Sequence, residues 1–364
     1  MARELRIYND DFTAEVAWMS RLSGSAPVGD KAIQVTTLLN ALQLRRVGYE
    51  QYRETVLPAE GVGQESITVS ATILLEALRK LSGQLSLSIS DGQLTIKSVN
   101  RFKSANRTVR IKALQAEFPA WPQFAPVGDK AVISSRQLAR VLTSASTGED
   151  IPALTVVAFD SGTMVATDRF RLTRVVYDDK GFNARISAAA LRAFAKPHEN
   201  SGVVYVQPGE VNGSEWVEIT SAGRTLLTPL ADVDFPRWKS LIPDNAPLRV
   251  ALRRTELLEA TSGEEIILTI DNDDDEVTVI SVNGDLQIEQ RIELFQRMRD
   301  EFDEPFTVKL RSKFVEEALR NISSAVVLLE VSGPTKPVVL RDVSELDLHL
   351  VMPLKTEGAE AKAG

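Results

Sequence analysis

Few residues in this 364-residue chain have the types and spacing that chemistry requires. The densest acidic run is Asp271-Asn272-Asp273-Asp274-Asp275-Glu276. Carboxylates so closely spaced can hold calcium, but a calcium loop also needs a mid-loop glycine for its sharp turn and a bidentate glutamate at its twelfth position. The run has neither. It lies between the alternating segments Ile267–Ile270 and Val277–Ile280, so it reads as a solvated hairpin turn. Gly61-Val62-Gly63 lacks the third glycine and the directly following helix of a phosphate loop. No G-x-S-x-G elbow and no H-E-x-x-H pair is present. The chain has no cysteine, which excludes thiol nucleophiles, Cys-ligated zinc, iron–sulfur clusters and disulfides. Its two histidines, His198 and His349, are too far apart in sequence to suggest a metal site. The expectation is a non-enzyme with no catalytic residue, no metal and no cofactor.

What the sequence offers instead is paired cations. Arg136/Arg140 and Arg192/Lys196 are i,i+4 pairs that place like charges on one helical face, at a cost in stability. Neither pair has an acidic partner in its own expected helix, and a polyanion opposite them would offset the repulsion. The six expected helices differ in charge. Phe12–Leu22 and Arg253–Ser262, the latter with Arg253 and Arg254, are neutral. Ser70–Ser82, with Arg79 and Lys80, and Arg311–Ile322, with Lys313 and Arg320, carry +1 each, and Ser134–Thr147 and Ser187–His198 carry +2 each. The chain as a whole has 42 Lys and Arg against 50 Asp and Glu, a net charge of −8. The helices' +6 therefore leaves −14 elsewhere, and the net acidity hides a sorted distribution.

These helices belong to a repeat. Ala116-Glu117-Phe118-Pro119-Ala120-Trp121 returns as Val233-Asp234-Phe235-Pro236-Arg237-Trp238, and Pro119, Pro236 and Pro353 are evenly spaced by 117 residues. Tyr49–Arg53 resembles Thr167–Arg171 at 118, and Val69-Ser70-Ala71 resembles Ile186-Ser187-Ala188 at 117. The match of Pro27–Ala32 with Pro126–Ala131 is out of register and reads as shared turn chemistry. Each repeat has the order short strand, helix, strands, helix, strands, which predicts an α+β fold with the helices gathered on one face of antiparallel sheets. Hydrophobic residues at 43% and charged residues at 25% fit a globular protein of two or three domains. No apolar run approaches the 18 residues of a membrane span, and the N-terminus lacks a secretory apolar core. A cytoplasmic location with no membrane partner is expected.

One segment carries a resemblance. Ala166-Thr167-Asp168-Arg169-Phe170-Arg171-Leu172 closely resembles the A-T-D-x-x-R-L signature of bacterial DNA polymerase III sliding clamps, the β subunit, and Arg169-Phe170 looks like the actinobacterial version. Phe235–Pro243, Pro334–Leu340 and Leu350–Lys355 are similar to further segments of that family. The resemblance covers the whole chain. It implies clamp domains at 1–125, 126–246 and 247–355, with a disordered tail at 356–364. It further implies a head-to-tail homodimer closing a six-domain ring around duplex DNA, read without sequence specificity. The helix cations Arg79, Lys80, Arg136, Arg140, Arg192, Lys196, Arg253, Arg254, Lys313 and Arg320 would then face DNA. The implied function is a processivity factor tethering the replicative DNA polymerase, served by a clamp loader and shared with other clamp-motif proteins. The family's peptide pocket maps onto Leu154, Thr167, Arg169, Phe170, Arg171, Leu172, Pro236, Leu241, Pro337, Leu350, Met352, Pro353 and Leu354. Two departures stand out: a short third-domain helix, and a basic, polar segment at Arg101–Arg110 where the family has an apolar interface strand. The alternative is a clamp-fold interaction protein that binds clamp-partner peptides without normal loading, as a competitor or an antibiotic-tolerant substitute.

Overall fold

The computed structural model describes residues 4–21, 32–48, 50–99, 107–148, 151–177, 182–195, 202–243, 246–271, 275–302, 304–343 and 347–354. Lys196, His198, residues 272–274 of the acidic run and the 356–364 tail lie outside them.

The expected element order recurs three times. The first run is β1 (Leu5–Tyr8), α1 (Asn9–Ser20), β2 (Ala32–Leu38), β3 (Ala41–Val47), β4 (Tyr52–Pro58), β5 (Glu60–Gly61), β6 (Ser66–Ser70), α2 (Ala71–Leu78), β7 (Gln84–Ser90), β8 (Gln93–Val99) and β9 (Thr108–Lys112). The second is β10 (Phe124–Pro126), β11 (Ala131–Ser134), α3 (Ser135–Leu142), β12 (Val156–Asp160), β13 (Thr163–Thr167), β14 (Arg171–Val176), β15 (Asn183–Ser187), α4 (Ala188–Arg192), β16 (Val203–Val211), β17 (Ser214–Ser221) and β18 (Arg224–Pro229). The third is β19 (Leu248–Arg253), α5 (Arg254–Ala260), β20 (Glu265–Ile270), β21 (Glu276–Asn283), β22 (Leu286–Asp300), β23 (Phe306–Arg311), α6 (Ser312–Asn321), β24 (Val326–Val331), β25 (Val338–Asp342) and β26 (Leu348–Val351). All six helices follow a strand with no intervening residue. The entry is repeated in detail: the Asn9 N–H donates to the Gly83 carbonyl beyond α2, and the Arg254 N–H donates to the Ala325 carbonyl beyond α6.

The chain forms two compact units, 1–134 with 201–230, and 135–200 with 231–364. The first holds a five-stranded sheet, β5-β1-β7-β8-β9, and a sheet ordered β10-β16-β17-β18-β4-β3-β2-β6 with β11 also on β16. The second holds one twelve-stranded path, β15-β12-β13-β14-β26-β25-β24-β19-β22-β21-β20-β23. Every strand pairing among the described residues is antiparallel, as the pattern predicts. One rule generates both paths. Each repeat contributes two hairpin series, and the last strand of one series (β4, β14 or β22) is matched by the last strand of the other (β9, β18 or β26). Two of the possible joins are made, β4 with β18 and β14 with β26. The outer edge of β9 and the 286–293 edge of β22 carry no strand among the described residues.

The helices are shorter than the sequence pattern suggests. After Leu142, the N–H groups of Thr143, Ser144 and Ala145 bond three residues back, and the Thr143 hydroxyl donates to the Arg140 carbonyl. Serine and threonine compete with the helix in this way and turn its last residues into tight turns. The same tightening follows α2 and α4. At the other end, α1 begins early, with Asp10 and Asp11 in its first turn. These shifts remove the expected helix charge. With the observed bounds the helices hold six cations, Arg136, Arg140, Arg192, Arg254, Lys313 and Arg320, against eight acids, among them Asp10, Asp11, Glu15 and Glu76. Arg79, Lys80 and Arg253 sit just beyond helix ends.

The two faces of the sheet at β14 and β26 differ chemically. Beneath the helices, the Ser144 and Thr173 hydroxyls lie 2.7 Å apart, and Thr173 Oγ1 is 2.9 Å from His349 Nδ1. Burial, with Arg140 and Arg171 nearby, pushes the His349 imidazole down to about 3. In the unfolded chain this ring protonates below its ordinary value near 6.5. The unfolded state therefore binds the extra proton first, and stability falls as pH drops from about 6.5 toward 3, by about 1.4 kcal/mol per pH unit. Urea midpoints should fall more between pH 7 and pH 5 for the natural chain than for His349→Asn. Equal falls would show that the ring is charged in the fold.

Candidate functional site

The strongest sequence segment turns out to be a built turn. The chain reverses between β13 and β14 through Asp168, Arg169 and Phe170, with Arg169 in the left-handed region at φ +78°. Asp168 Oδ1 accepts the N–H groups of both Phe170 and Arg171 at 3.0 Å. The Thr167 hydroxyl donates to the Arg171 carbonyl at 2.7 Å and accepts the Arg169 N–H at 3.2 Å. Asp168 Oδ2 also takes Arg171 Nε at 3.0 Å. Arg171 reaches on to Glu317 of α6 and lies over the Phe314 ring, 4.5 Å from its centroid. Half of the A-T-D-x-x-R-L pattern is thus turn chemistry that fixes where Phe170 and Leu172 stand.

Leu172 points to the other face. There Leu172, Val165, Trp238, Val339, Leu348 and Leu350 form a buried apolar cluster, with Phe235, Ile242 and Met352 packed partly buried against it. The ladder between β14 and β26 sets this meeting, Leu172 opposite Leu350 and Arg171 opposite Val351. Past β26 the chain stays tied down. The Met352 N–H donates to the Phe170 carbonyl at 2.8 Å, and the Leu354 N–H to the Lys309 carbonyl at 2.8 Å. Phe170 is 57% and Leu241 43% exposed, and neither is among the cluster's residues. Met352, Pro353, Leu354 and Pro337 are half-buried. Leu154 is buried in a separate 3-10 turn, where its carbonyl accepts the Ser146 N–H, and it is not among the cluster's residues. Pro236 opens the 3-10 turn that seats Trp238, its carbonyl accepting the Trp238 N–H.

Residues outside the expected set also build this place. Asp168 shapes the turn, Trp238 and Val339 belong to the cluster, and Ile242 packs against it. Trp238 was visible as a repeat marker, and Trp121 serves the first repeat similarly, its ring 5.8 Å from that of Tyr52.

The expected DNA-facing cations divide into two groups. Arg140 is buried, with its Nη1 2.9 Å from Asp347 Oδ2 and its Nη2 3.3 Å from the Ser323 hydroxyl. The reading of Arg136 and Arg140 as a pair without an acidic partner is therefore corrected, because Asp347 supplies one from 207 residues away. Arg192 is half-buried and donates to the Ala145 carbonyl at 3.0 Å, and its burial lowers the guanidinium's pKa. Arg254 is spent on the end of α6, donating to the Ser324 carbonyl at 2.9 Å. Arg136 is half-buried. By contrast, Arg79, Lys80, Arg253, Lys313 and Arg320 are exposed. Lys80 pairs with Glu76 at 2.6 Å, Arg320 with Glu316 at 2.6 Å and Arg253 with Glu256 at 3.4 Å. Among the described residues no group of three or more His, Cys, Asp or Glu side chains is placed to hold a metal, and no helix is long and apolar enough to cross a membrane.

This architecture is shared with known proteins. The structure superimposes on the sliding clamp of Bacillus subtilis with a TM-score of 0.78 at 18% identity, covering 98% of this chain and 100% of that one. It matches a Pseudomonas aeruginosa sliding clamp bound to griselimycin at 0.76 and 17% identity, with coverage of 98% and 100%. The fold is that of the three-domain sliding clamps. In sequence, the chain is 26% identical over 272 residues to the beta sliding clamp of Micrococcus luteus, covering 70% of this chain and 85% of that one. It is 24% identical to that of Streptomyces coelicolor, covering 98% and 100%. No family model matches. The chain is a divergent relative of the bacterial β sliding clamps.

Proposed function

We propose that this protein is a DNA sliding clamp, a non-catalytic processivity factor that encircles duplex DNA and tethers the replicative polymerase and other partners through a peptide site at the Leu172–Met352 cluster. The three clamp domains are assigned to 1–125, 126–246 and 247–355. The observation that carries this reading is the rule of strand joins. Two joins are made within the chain, and the third pair of matching edges, β9 and β22, is open among the described residues. A long open edge is a liability unless something covers it. Two copies arranged head to tail would pair β9 of each with β22 of the other and close the ring. Charge favours that pairing: β9 and the residue before it carry Arg107, Arg110 and Lys112 with no acid, while the β22 edge carries Asp285, Glu289 and Glu293 against Arg291. Apolar Leu286 and Ile288, both more than half exposed, add area to bury. This basic β9 accounts for the departure from an apolar interface strand.

The DNA-facing set is narrowed to the exposed Arg79, Lys80, Arg253, Lys313 and Arg320, which would touch phosphates only. Retention would be topological and direct affinity weak and salt-dependent. The deciding test is primer extension on long circular templates with and without a clamp loader. The protein should lengthen products only when loader is present, and linearising the template should release it. Sedimentation at micromolar concentration should show a dimer that dissociates as salt rises, because the complementary charges are exposed. A monomer at low salt would reject ring closure, and with it the favoured function.

A further inference from the structure

The ladder that brings Leu172 to Leu350 does not stop at the apolar cluster. Opposed residues continue as one row across six strands: Leu172, Leu350, Val339, Glu330, Arg249 and Arg299. Cross-strand partners lie on one face of a sheet, so the first three, which belong to the cluster, and the last three share that face. In the adjoining row, Arg341 stands opposite Leu348, another member of the cluster. At the charged end of these rows lies a cavity of about 450 Å3 lined by Arg249, Arg299, Arg341, Glu330, Pro243 and Met298. Pro243 directly follows Ile242 of the cluster.

The charge in this cavity is unbalanced. Among the described residues that line it, Glu330 is the one acid, and it is buried. It accepts from Arg341 Nη2 at 3.0 Å and Nε at 3.3 Å. The same carboxylate is 3.4 Å from Arg249 Nε, a buried atom left without a formed hydrogen bond. Arg299 lines the cavity and its Nε is 3.6 Å from Glu301, which is not among the lining residues. Two guanidiniums therefore share one internal carboxylate while a third lines the same cavity, and each guanidinium has five donors in a planar fork. A second carboxylate in the cavity would take the remaining donors and offset the repulsion among the three cations.

We propose that this cavity is an acid-reading subsite of the partner-peptide site: a segment whose apolar side chains bind at the Leu172–Met352 cluster places an aspartate or glutamate against Arg249, Arg299 and Arg341. The proposal rests on the peptide-site reading given above. Neighbouring strands are about 4.8 Å apart, so the cavity begins about one strand spacing beyond Val339 and ends about three beyond it. An extended segment gains about 3.3 Å per residue and crosses that distance in roughly two to four residues. The acid therefore flanks the apolar anchors and does not lie among them.

The test uses fluorescently labelled synthetic decapeptides with a Leu-Ala-Leu-Phe block and Gly/Ser flanks, in which a single Glu, Gln or Lys is scanned along each flank. In one register the Glu peptide should bind the full-length protein about tenfold more tightly than its Gln counterpart, and the Lys peptide more weakly than either. The Glu-over-Gln ratio should shrink toward one in Arg249→Gln. Arg299→Gln, at a side chain 42% exposed, should reduce the same ratio and keeps the test valid if Arg249→Gln is unstable. A Glu preference in no register, or one that survives both variants, would overturn the subsite while leaving the apolar site standing. Peptides that fail to bind, or that bind regardless of Met352→Ala, would remove the apolar site and this subsite with it.

Discussion

Replacing Arg140 with alanine should lower the unfolding free energy by about 3–5 kcal/mol, the cost of breaking a buried ion pair from one side. Arg140 and Asp347 expose about a tenth of their side chains, and their bond is 2.9 Å long. Asp347 Oδ1 also accepts the Val176 N–H at 2.8 Å. Removing the guanidinium leaves a carboxylate that is still buried and still needed by the backbone. The exposed i,i+4 pair of Arg320 with Glu316 supplies the contrast, and Arg320→Ala should cost no more than about 0.5 kcal/mol. Denaturant titrations of both variants decide the matter. An Arg140→Ala protein within about 1 kcal/mol of the natural chain would return that arginine to the set available for phosphate contact.

The second large effect concerns the apolar cluster. Met352→Ala combined with Leu172→Ala should weaken binding of a polymerase-derived peptide by about 2–4 kcal/mol, the loss typical of removing central anchors. At about 1.4 kcal/mol per tenfold, that is a loss of tens to several hundred times in affinity. The two changes differ in their cost to the fold. Leu172 is 1% exposed, and truncating it opens a cavity worth about 2–5 kcal/mol of stability. Met352 is half-buried on flexible bonds at the cluster's edge, and its truncation should act mainly on binding. Measuring both single variants under conditions where each is folded separates the two terms. A folded double variant with unchanged peptide affinity would show that the peptide binds elsewhere.

Much of this was legible in the residues. The F-P-x-W pair marked comparable places after β9 and β18, Trp238 in the cluster and Trp121 against Tyr52, whereas Pro353 follows β26 by only two residues. The A-T-D-x-x-R-L string located both the turn and the leucine that enters the cluster. Charge misled more than hydrophobicity did, because the net charge of a helix depends on where it ends. Arg79, Lys80 and Arg253 fall one or two residues outside, and Asp10 and Asp11 fall inside. The partner of Arg140 was beyond reach for another reason. Asp347 is brought to α3 only by the β14–β26 ladder, and no local pattern announces a contact across so many residues. The row from Leu172 to Arg299 is hidden likewise, since each step depends on a register that only the assembled sheet defines.

That register gives β26 an unusual status. Its four residues alternate between two chemistries, Leu348 and Leu350 into the apolar cluster, His349 into the buried hydroxyl network and Val351 into the core of the third repeat. Side chains along a strand swap faces with each residue of slip. A slip of β26 by one residue would drive an imidazole into the apolar cluster and a leucine against Ser144 and Thr173. The same slip would unseat Met352 from Phe170. Asp347, immediately before β26, holds the strand in this one register through Arg140 and the Val176 N–H.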